Sequence, residues 1–376
     1  MGNVVFLTGF PGFIAGRLLK RLAQEELRFI LLVQPALYEQ AVREIDDIAR
    51  QTGRDLCDFQ IAPGDITGSD LALRPQDLQT IRAETNIVFH LAAVYDLAVA
   101  RDIALRVNLE GTRNVNTFVR TLPNLKHYHY VSTCYVAGKR KGMVLETELA
   151  HDAGFRNHYE QSKYLAELEV ERLKSELPVT IHRPAVVCGD SQTGETAKFD
   201  GVYYLMRYLL RAPRLLSILN IGNDEVRLNL VPVDFVVESF AATATDSGAL
   251  GKTLQLADPV PLTTRELFNS ISESICRRRS LISVPPRIVE SALMLPPSPA
   301  ITGLPHYAVP YFFLQQTYDS TEAQNILRRH QISCPPFNTY VDNIVGYAAA
   351  NPKSSSRQDS EHSGDHKHTH NRSCHE

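Results

Sequence analysis

The chain has 376 residues, a formal net charge of −3 and 44% hydrophobic residues. This length is enough for one large domain or two moderate ones, and the composition is typical of a soluble globular protein. A nearly balanced charge gives no bulk attraction to nucleic acid or to an anionic membrane, so we expect neither as a partner.

The cysteines and the N-terminus predict a cytoplasmic protein. Six cysteines are scattered without metal-ligand spacing, which favours free thiols and predicts no metal site. The opening MGNVVFLTGF lacks the pattern of a signal peptide. No stretch approaches the ~20 apolar residues that a membrane-spanning helix needs, so we expect no transmembrane segment.

Short apolar runs alternate with helical patterns through the first two hundred residues. This alternation predicts an α/β fold of the Rossmann type, a doubly wound parallel sheet with helices on both faces. The predicted strands are Val4–Thr8, Phe29–Val33, Ile87–Leu91, Tyr128–Ser132 and Val179–Arg183. The predicted helices are Gly16–Gln24, Ala36–Thr52, Ile103–Thr121 and Tyr159–Leu177.

The pattern changes after Gly189, where loops, aromatic-rich helices and a late strand at Leu228–Val233 follow. We therefore predict a cofactor domain at 1–190 that carries the catalytic residues, and a smaller C-terminal substrate-binding lobe at 191–350. Some segments of that lobe are expected to return to the first domain. Residues 351–376 are almost without apolar side chains and predict a disordered tail. Its His366, His368 and His370 could bind a metal, but a solvated polar tail is favoured.

A phosphate-binding turn follows the first strand. The segment TGFPGFIAG places Gly9, Gly12 and Gly16 between a strand and a helix. Such a turn presents free backbone N–H groups and the positive end of a helix dipole to a pyrophosphate, and a Cβ would obstruct it. The position of the turn, at the start of a series of βα units, predicts a dinucleotide site.

The residues that should contact the adenosine leave the choice of cofactor open. A carboxylate after the second strand would favour NAD and an arginine would favour NADP, but the sequence has Gln34 there. Arg17 could meet a 2′-phosphate or be a surface arginine. Asp65, in the segment GDI, could hold the adenine edge or simply form a turn.

Tyr159 and Lys163 lie four residues apart in NHYEQSKYL. This spacing puts both on one face of a helix. A tyrosine can protonate an oxygen that receives a hydride, and a nearby ammonium stabilises its phenolate, whose unperturbed pKa is about 10. Taken alone the pair could be chance, and the phosphate-binding turn upstream is what favours catalysis.

Seven motifs occur in the order seen in the extended short-chain dehydrogenases/reductases, a family that the sequence resembles over residues 3–345. They are TGFPGFIAG, GDI, HLAA, VNLEGT, YVSTCYVAG, YEQSK and HRPAVVCG. Within the family, TGFPGF, YVSTCYVAG and LNLVPVDFVVE are most similar to the thioester reductase and fatty acyl-CoA reductase branch. Gln34 departs from the arginine that is common in this branch.

The resemblance implies a nicotinamide cofactor, NADP(H) or NAD(H), and a set of site residues. The implied catalytic residues are Thr133, with Ser132 as a second candidate for its role, Tyr159, Lys163 and Asn108. Asn108 could instead be a helix-starting residue. The cofactor-binding residues are predicted to be Thr8, Gly9, Phe10, Pro11, Gly12, Phe13, Ile14, Gln34, Asp65, Ile66, Leu91, Ala92, Ala93, Tyr159, Lys163, Pro184 and Val186.

These residues predict an NAD(P)H-dependent reductase of a carbonyl-level substrate, most plausibly an acyl thioester on CoA or on an acyl carrier protein. A sugar-nucleotide epimerase or dehydratase, a hydroxysteroid-type dehydrogenase and a non-catalytic cofactor-binding regulatory protein are the alternatives. A homodimer is possible. Four aromatic residues of the lobe could line an acyl pocket or belong to its core, namely Phe199, Tyr203, Tyr204 and Tyr208. The run Arg277–Arg279 could contact CoA phosphates or an acidic carrier, or be a solvated basic face.

Overall fold

A seven-stranded sheet forms the centre of the computed structural model, which describes residues 2–352. The predicted tail, with its three histidines, lies outside the described residues. The strands are β1 Val4–Thr8, β2 Arg28–Val33, β3 Phe59–Pro63, β4 Ile87–His90, β5 His127–Val131, β6 Gly142–Val144, β7 Val179–Pro184, β8 Val186–Cys188, β9 Leu219–Asn220, β10 Leu230–Pro232, β11 Thr253–Leu256, β12 Ile282–Ser283 and β13 Gln316–Tyr318.

The central sheet has the strand order β11-β7-β5-β4-β1-β2-β3, and every neighbouring pair is parallel. From β1 the chain first adds β2 and β3 on one side and then β4, β5, β7 and β11 on the other. This is the arrangement of doubly wound sheets, which bind a ligand at the carboxyl ends of the strands. The predicted α/β fold of the Rossmann type is therefore confirmed.

Fourteen α-helices surround the strands within residues 2–352. They are α1 Phe13–Leu22, α2 Tyr38–Thr52, α3 Pro75–Glu84, α4 Arg101–Ala104, α5 Gly111–Arg120, α6 His158–Glu171, α7 Val202–Arg211, α8 Pro213–Leu216, α9 Val233–Thr243, α10 Thr264–Cys276, α11 Pro286–Leu293, α12 Ser298–Thr302, α13 Thr321–Arg329 and α14 Val341–Ala350. A six-residue π-helix, Leu105–Glu110, joins α4 to α5.

Two hydrophobic layers cover the two faces of the sheet. Helices α1, α2, α9 and α13 supply one layer, for example through Leu18, Ile45 and Phe240. Helices α3, α5 and α6 supply the other, for example through Phe118 and Val170. Strand β1 is buried at all five positions, as expected for a parallel strand with helices on both sides.

Three stretches beyond residue 190 pack on the cofactor part of the molecule. Strand β11 extends the sheet by pairing with β7, and α9 and α13 contribute to one of its two hydrophobic layers. Helices α7, α10 and α14 enclose a separate core that includes Met206, Phe268 and Ile344.

The predicted elements differ from the observed ones mainly at their ends. Helix α1 begins at Phe13, three residues before the predicted start, and the helix predicted at 103–121 is divided by the π-helix. The five described cysteines are free thiols. Within residues 2–352, no helix combines the length and the apolar character that crossing a bilayer would require.

Candidate active site

A cleft of about 740 Å³ opens at the carboxyl ends of the strands. It brings together residues that are as far apart in sequence as Thr8 and Val186. The predicted residues that line it are Thr8, Gly9, Phe10, Gly12, Phe13, Ile14, Gln34, Asp65, Ile66, Leu91, Ala92, Ala93, Ser132, Thr133, Tyr159, Lys163, Pro184 and Val186. Two predicted residues, Pro11 and Asn108, are not part of this lining.

The turn between β1 and α1 leaves room only for glycine at two positions. Gly9 has φ +92°, and a Cβ there would lie 2.8 Å from the backbone nitrogen of Ala92. A Cβ on Gly12 would lie 2.6 Å from the carbonyl oxygen of Gly9. The Phe10–Pro11 peptide bond in this turn is cis.

Helix α1 begins directly after this turn, with Gly12 as an N-cap that has no capping side chain. The first N–H groups of a helix have no partners within the helix, so they face the cleft as donors for an anion. The turn therefore fits the pyrophosphate of a dinucleotide cofactor.

His90, at the end of β4, is the centre of a chain of hydrogen bonds. The Thr112 hydroxyl donates to the Asn108 carbonyl at 2.6 Å, so its oxygen accepts from Nε2 of His90 at 3.1 Å. His90 Nδ1 then accepts from the Thr8 hydroxyl at 2.8 Å, and Thr8 Oγ1 accepts from the Ala92 N–H at 3.2 Å. Burial lowers the pKa of His90 to about 3, in agreement with a neutral ring.

Tyr159 lies in the first turn of α6, whose start is fixed by Asn157. The Asn157 side chain accepts from the Glu160 N–H at 2.9 Å, which caps the helix. Tyr159 is 6% exposed, and burial raises the pKa of its phenol. The neighbouring Thr133 side chain lowers this pKa and so partly offsets the effect of burial. Tyr159 and Thr133 both line the cleft.

Lys163 lies one turn further along α6 and is 3% exposed. Its ammonium donates to the Tyr130 hydroxyl and to the Val131 carbonyl, both at 2.9 Å, and lies 4.5 Å from the centre of the Tyr130 ring. Burial lowers the pKa of Lys163 to about 7, although the charge of Glu167 raises it. The side chain is thus held against the end of β5, in the wall of the cleft.

Ser132, the second candidate for the role of Thr133, points into a buried ionic network. Its hydroxyl donates to Glu167, which also pairs with Arg183 at 2.6 Å. Successive residues of extended backbone point to opposite sides, which separates Ser132 from its neighbour Thr133. Glu167 follows Tyr159 and Lys163 at the same interval of four residues, and that continued spacing is the signal that could have identified it.

Asn108 lies within the π-helix and is 1% exposed. Its side chain accepts from the Val94 N–H at 2.8 Å and donates to the Val94 carbonyl at 3.2 Å and to the Ser162 hydroxyl at 3.0 Å. Asn108 is therefore not a helix-starting residue, because it lies inside the π-helix. Its side chain connects the loop after β4 to the helix that carries Tyr159 and Lys163.

The end of β2 is the expected adenosine end of the cleft. There the Gln34 side-chain amide donates to Asp65 at 2.9 Å, and Asp65 also accepts from the Thr67 N–H at 2.7 Å. Arg17 points elsewhere and forms ion pairs with Asp190 at 2.9 Å and with Glu195 at 2.7 Å.

Aromatic residues that the sequence did not single out close the catalytic end of the cleft. Tyr95 packs edge-on against Tyr159, with ring centres 5.1 Å apart, and Lys198 donates to the Tyr95 carbonyl at 2.9 Å. Tyr135 lines the same end and packs against Tyr311, 4.8 Å between ring centres. Tyr95 follows the HLAA motif closely, so its position after a strand end was a usable signal. Tyr311 comes from a distant segment and gave none.

A second cavity of about 410 Å³ lies in the lobe and has an apolar lining. Two of the four aromatic candidates, Tyr204 and Tyr208, line it, whereas Phe199 and Tyr203 belong to the core of the lobe. The run Arg277–Arg279 is exposed, and Arg279 pairs with Glu273. The two cavities share no lining residue.

A model of the male sterility protein family matches residues 7–240, well over half of the chain. Among curated proteins, the chain is 24% identical over 278 residues to a fatty acyl-CoA reductase of Drosophila melanogaster, covering 64% of this chain and 54% of the fly protein. It is 28% identical over 287 residues to fatty acyl-CoA reductase 1 of Mus musculus, covering 66% and 55%. The chain thus spans about half the length of these relatives.

Two solved structures share the fold. The terminal R domain of the myxalamid PKS-NRPS pathway has a TM-score of 0.77 and 23% identity, covering 94% of this chain and 92% of that one. The reductase domain of a nonribosomal peptide synthetase from Mycobacterium tuberculosis has a TM-score of 0.69 and 17% identity, with coverage of 94% and 92%. The resemblance seen in the motifs, to the thioester reductase and fatty acyl-CoA reductase branch, is confirmed.

Proposed function

We propose that this chain, which belongs to the male sterility protein family, reduces an acyl thioester to an aldehyde or alcohol. The family match and the relatives make it an NAD(P)-dependent oxidoreductase of the short-chain dehydrogenase type. The observation that carries the proposal is that Thr133, Tyr159 and Lys163 meet on one wall of the cleft that the glycine turn opens into.

The choice of an acyl thioester follows from the relatives. The similar curated proteins are named as fatty acyl-CoA reductases, and the similar structures include the reductase domains of peptide synthetases. A thiolation-reductase di-domain from an archaeal peptide synthetase matches with a TM-score of 0.72. CoA or a carrier protein is accordingly the proposed bearer of the acyl group.

The proposed reaction consumes one acyl thioester, one reduced nicotinamide cofactor and one proton for each aldehyde and thiol that form. The cofactor, when bound, supplies the hydride. Addition of the hydride to the thioester carbonyl breaks its π bond and leaves negative charge on the oxygen. Loss of the thiol then restores the carbonyl as an aldehyde, and a second reduction would give the alcohol.

Thr133 and Tyr159 provide the groups that this oxygen needs. Both side chains line the cleft, so a substrate oxygen placed against the two hydroxyls could accept a hydrogen bond from each. Tyr159 is also the proposed acid, because burial keeps its phenol protonated near neutral pH.

Lys163 and Asn108 are proposed to support Thr133 and Tyr159. Lys163 brings a positive charge to the wall of the cleft, where it would stabilise a Tyr159 phenolate and reach the ribose of a bound cofactor. Asn108 holds the Val94 loop and Ser162 together and so keeps α6 in position. It is a positioning residue.

The proposal is tested by incubating the full chain with NADH or NADPH and a panel of acyl-CoA esters of increasing length. We expect nicotinamide oxidation together with release of one free thiol per aldehyde. Thiol release separates this reaction from reduction of a ketone, which forms none. If ketones or sugar nucleotides support turnover and no thioester does, the thioester assignment is wrong.

A further inference from the structure

We propose that the adenosine end of the cleft selects NAD(H) over NADP(H), and that Gln34 and Asp65 together determine this selection. The inference goes beyond the proposed reaction, because it depends only on the site's being one for a nicotinamide dinucleotide. It concerns the single phosphate on the adenosine ribose that distinguishes the two cofactors.

The hydrogen bond between Gln34 and Asp65 fixes what this end of the cleft offers. A carboxylate can only accept, so the group of Gln34 that faces Asp65 at 2.9 Å is its NH₂. The carbonyl oxygen and the second N–H of the Gln34 amide are then left for a ligand. Ribose hydroxyls can donate to both the amide oxygen and the carboxylate, whereas a phosphate, which only accepts, cannot.

The charges in the cleft lead to the same conclusion. Four charged residues belong to its lining, namely Asp65, Lys163, Lys198 and Asp200. Lys163 is bonded to Tyr130 and Val131, and Lys198 to the Tyr95 carbonyl beside Tyr159, so both cations lie at the catalytic end. Within the described part of the chain, Asp65 is the charged lining residue at the adenosine end, where it would repel a 2′-phosphate.

Two groups that could have met a phosphate, the Arg17 guanidinium and the Leu37 N–H, are already engaged. Arg17 uses both terminal guanidinium nitrogens in its pairs with Asp190 and Glu195. After Gln34 the chain has Pro35, which lacks an N–H, and the Leu37 N–H donates to the Gln34 carbonyl at 2.8 Å. Binding a 2′-phosphate through either Arg17 or the Leu37 N–H would therefore require breaking existing contacts.

The test is a direct binding measurement without any carbonyl substrate, so its failure leaves the proposed reaction intact. The chain contains no tryptophan, and the fluorescence of a bound reduced cofactor can be followed without tryptophan background. We expect the Kd for NADH to be lower than that for NADPH by about tenfold or more at low salt. The ratio should shrink as salt screens the repulsion by Asp65.

Three variants locate the effect. Gln34→Arg should tighten NADPH binding by about tenfold, because it supplies the missing cation, and Asp65→Asn should tighten it by a smaller factor. Gln40→Arg adds the same charge on the exposed side of α2, outside the cleft lining, and should leave both Kd values within about twofold of wild type.

Two results would overturn the proposal. One is a wild-type protein that binds NADPH as tightly as NADH or more tightly. The other is an equal gain of NADPH affinity in Gln34→Arg and Gln40→Arg, since that would reflect general charge and not this pair. Gln34 and Gln40 are both exposed, so neither substitution disturbs the core.

Discussion

The cofactor cleft and the apolar cavity of the lobe are built in different ways. The cleft lies at the ends of long-range parallel strands, and its walls carry hydrogen-bonding groups from a turn, two strand ends and α6. The cavity lies among the helices α7, α10, α11 and α12, beyond the ends of the two-residue strands β9 and β12, and its lining is mostly apolar. The strand ends and the turn thus position the polar groups of the cleft, whereas the packing of apolar side chains shapes the cavity of the lobe.

The largest expected effect is a loss of turnover when the proposed acid of the cleft is removed. Tyr159→Phe should lower kcat by about a hundredfold to ten-thousandfold, the range for loss of a general acid, while the Kd for the cofactor changes little. The matched control is Tyr164→Phe, which removes a hydroxyl from the same helix outside the cleft lining. Steady-state rates and fluorescence titration provide the two readouts. Equal losses in the two variants would contradict the proposed role of Tyr159.

The next effect concerns the buried ionic network beneath the cleft. Glu167 and Arg183 are 0% and 1% exposed. Glu167→Gln leaves the guanidinium without its charged partner, so we expect the free energy of unfolding to fall by about 3–5 kcal/mol. Glu169→Gln, two residues away on α6, breaks the partly exposed pair with Arg113 and should cost less than about 1 kcal/mol. Denaturant unfolding compares them, and similar losses would show that burial is not the cause.

The pH dependence of stability should come from the sheet and not from the lobe. Four buried histidines lie on β4, β5 and β7, namely His90, His127, His129 and His182. Burial lowers their pKa values, to about 4 for His127 and to about 3 for His90 and His182.

The sign follows from the difference between the folded and unfolded chains. The unfolded chain takes up these protons as pH falls through 6.5, but the folded chain does not until about pH 4 or below. The folded state therefore loses stability across that window. His182→Phe should make the loss less steep by about one proton. A slope between pH 6.5 and 4 that is the same in His182→Phe as in the wild type would contradict this assignment.

The smallest expected effect lies in the lobe. Ala292 lines the apolar cavity, and Ala292→Leu would fill part of it with an additional apolar side chain. We expect the cofactor Kd to stay within about twofold and the free energy of unfolding to change by less than ~1 kcal/mol. A marked loss of cofactor affinity would show that the two cavities are coupled, and the comparison between the regions would then fail.

The sequence predicts the cofactor region well because its signals are local. A strand, a glycine turn and a helix follow one another within twenty residues at Val4–Leu22, and four-residue spacing places Tyr159 and Lys163 on one face. Each of these patterns depends on backbone geometry alone. The fold class and the turn could therefore be inferred from local patterns, whereas most of the other cleft residues were expected from the family resemblance.

The sequence does not predict contacts between distant side chains. Gln34 and Asp65 are 31 residues apart, and nothing in either segment indicates that they bond. Strand β11 has the sequence TLQL, in which polar and apolar residues alternate, so it lacks the continuous apolar run by which the predicted strands of the sheet were identified. The π-helix that carries Asn108 has the apolar pattern of an ordinary helix. In each case tertiary packing, and not local preference, decides the outcome.

The chain of hydrogen bonds that runs from Ala92 through His90 to Asn108 also helps to fix the distance between the two ends of the cleft. All its donors point in one direction, so it ties the glycine turn, through Thr8, to the π-helix next to Lys163. The span between the phosphate end and the catalytic end is thus held by side chains as well as by the sheet. The cleft therefore has a fixed length, and a dinucleotide that is bound at the glycine turn must be long enough to reach Tyr159.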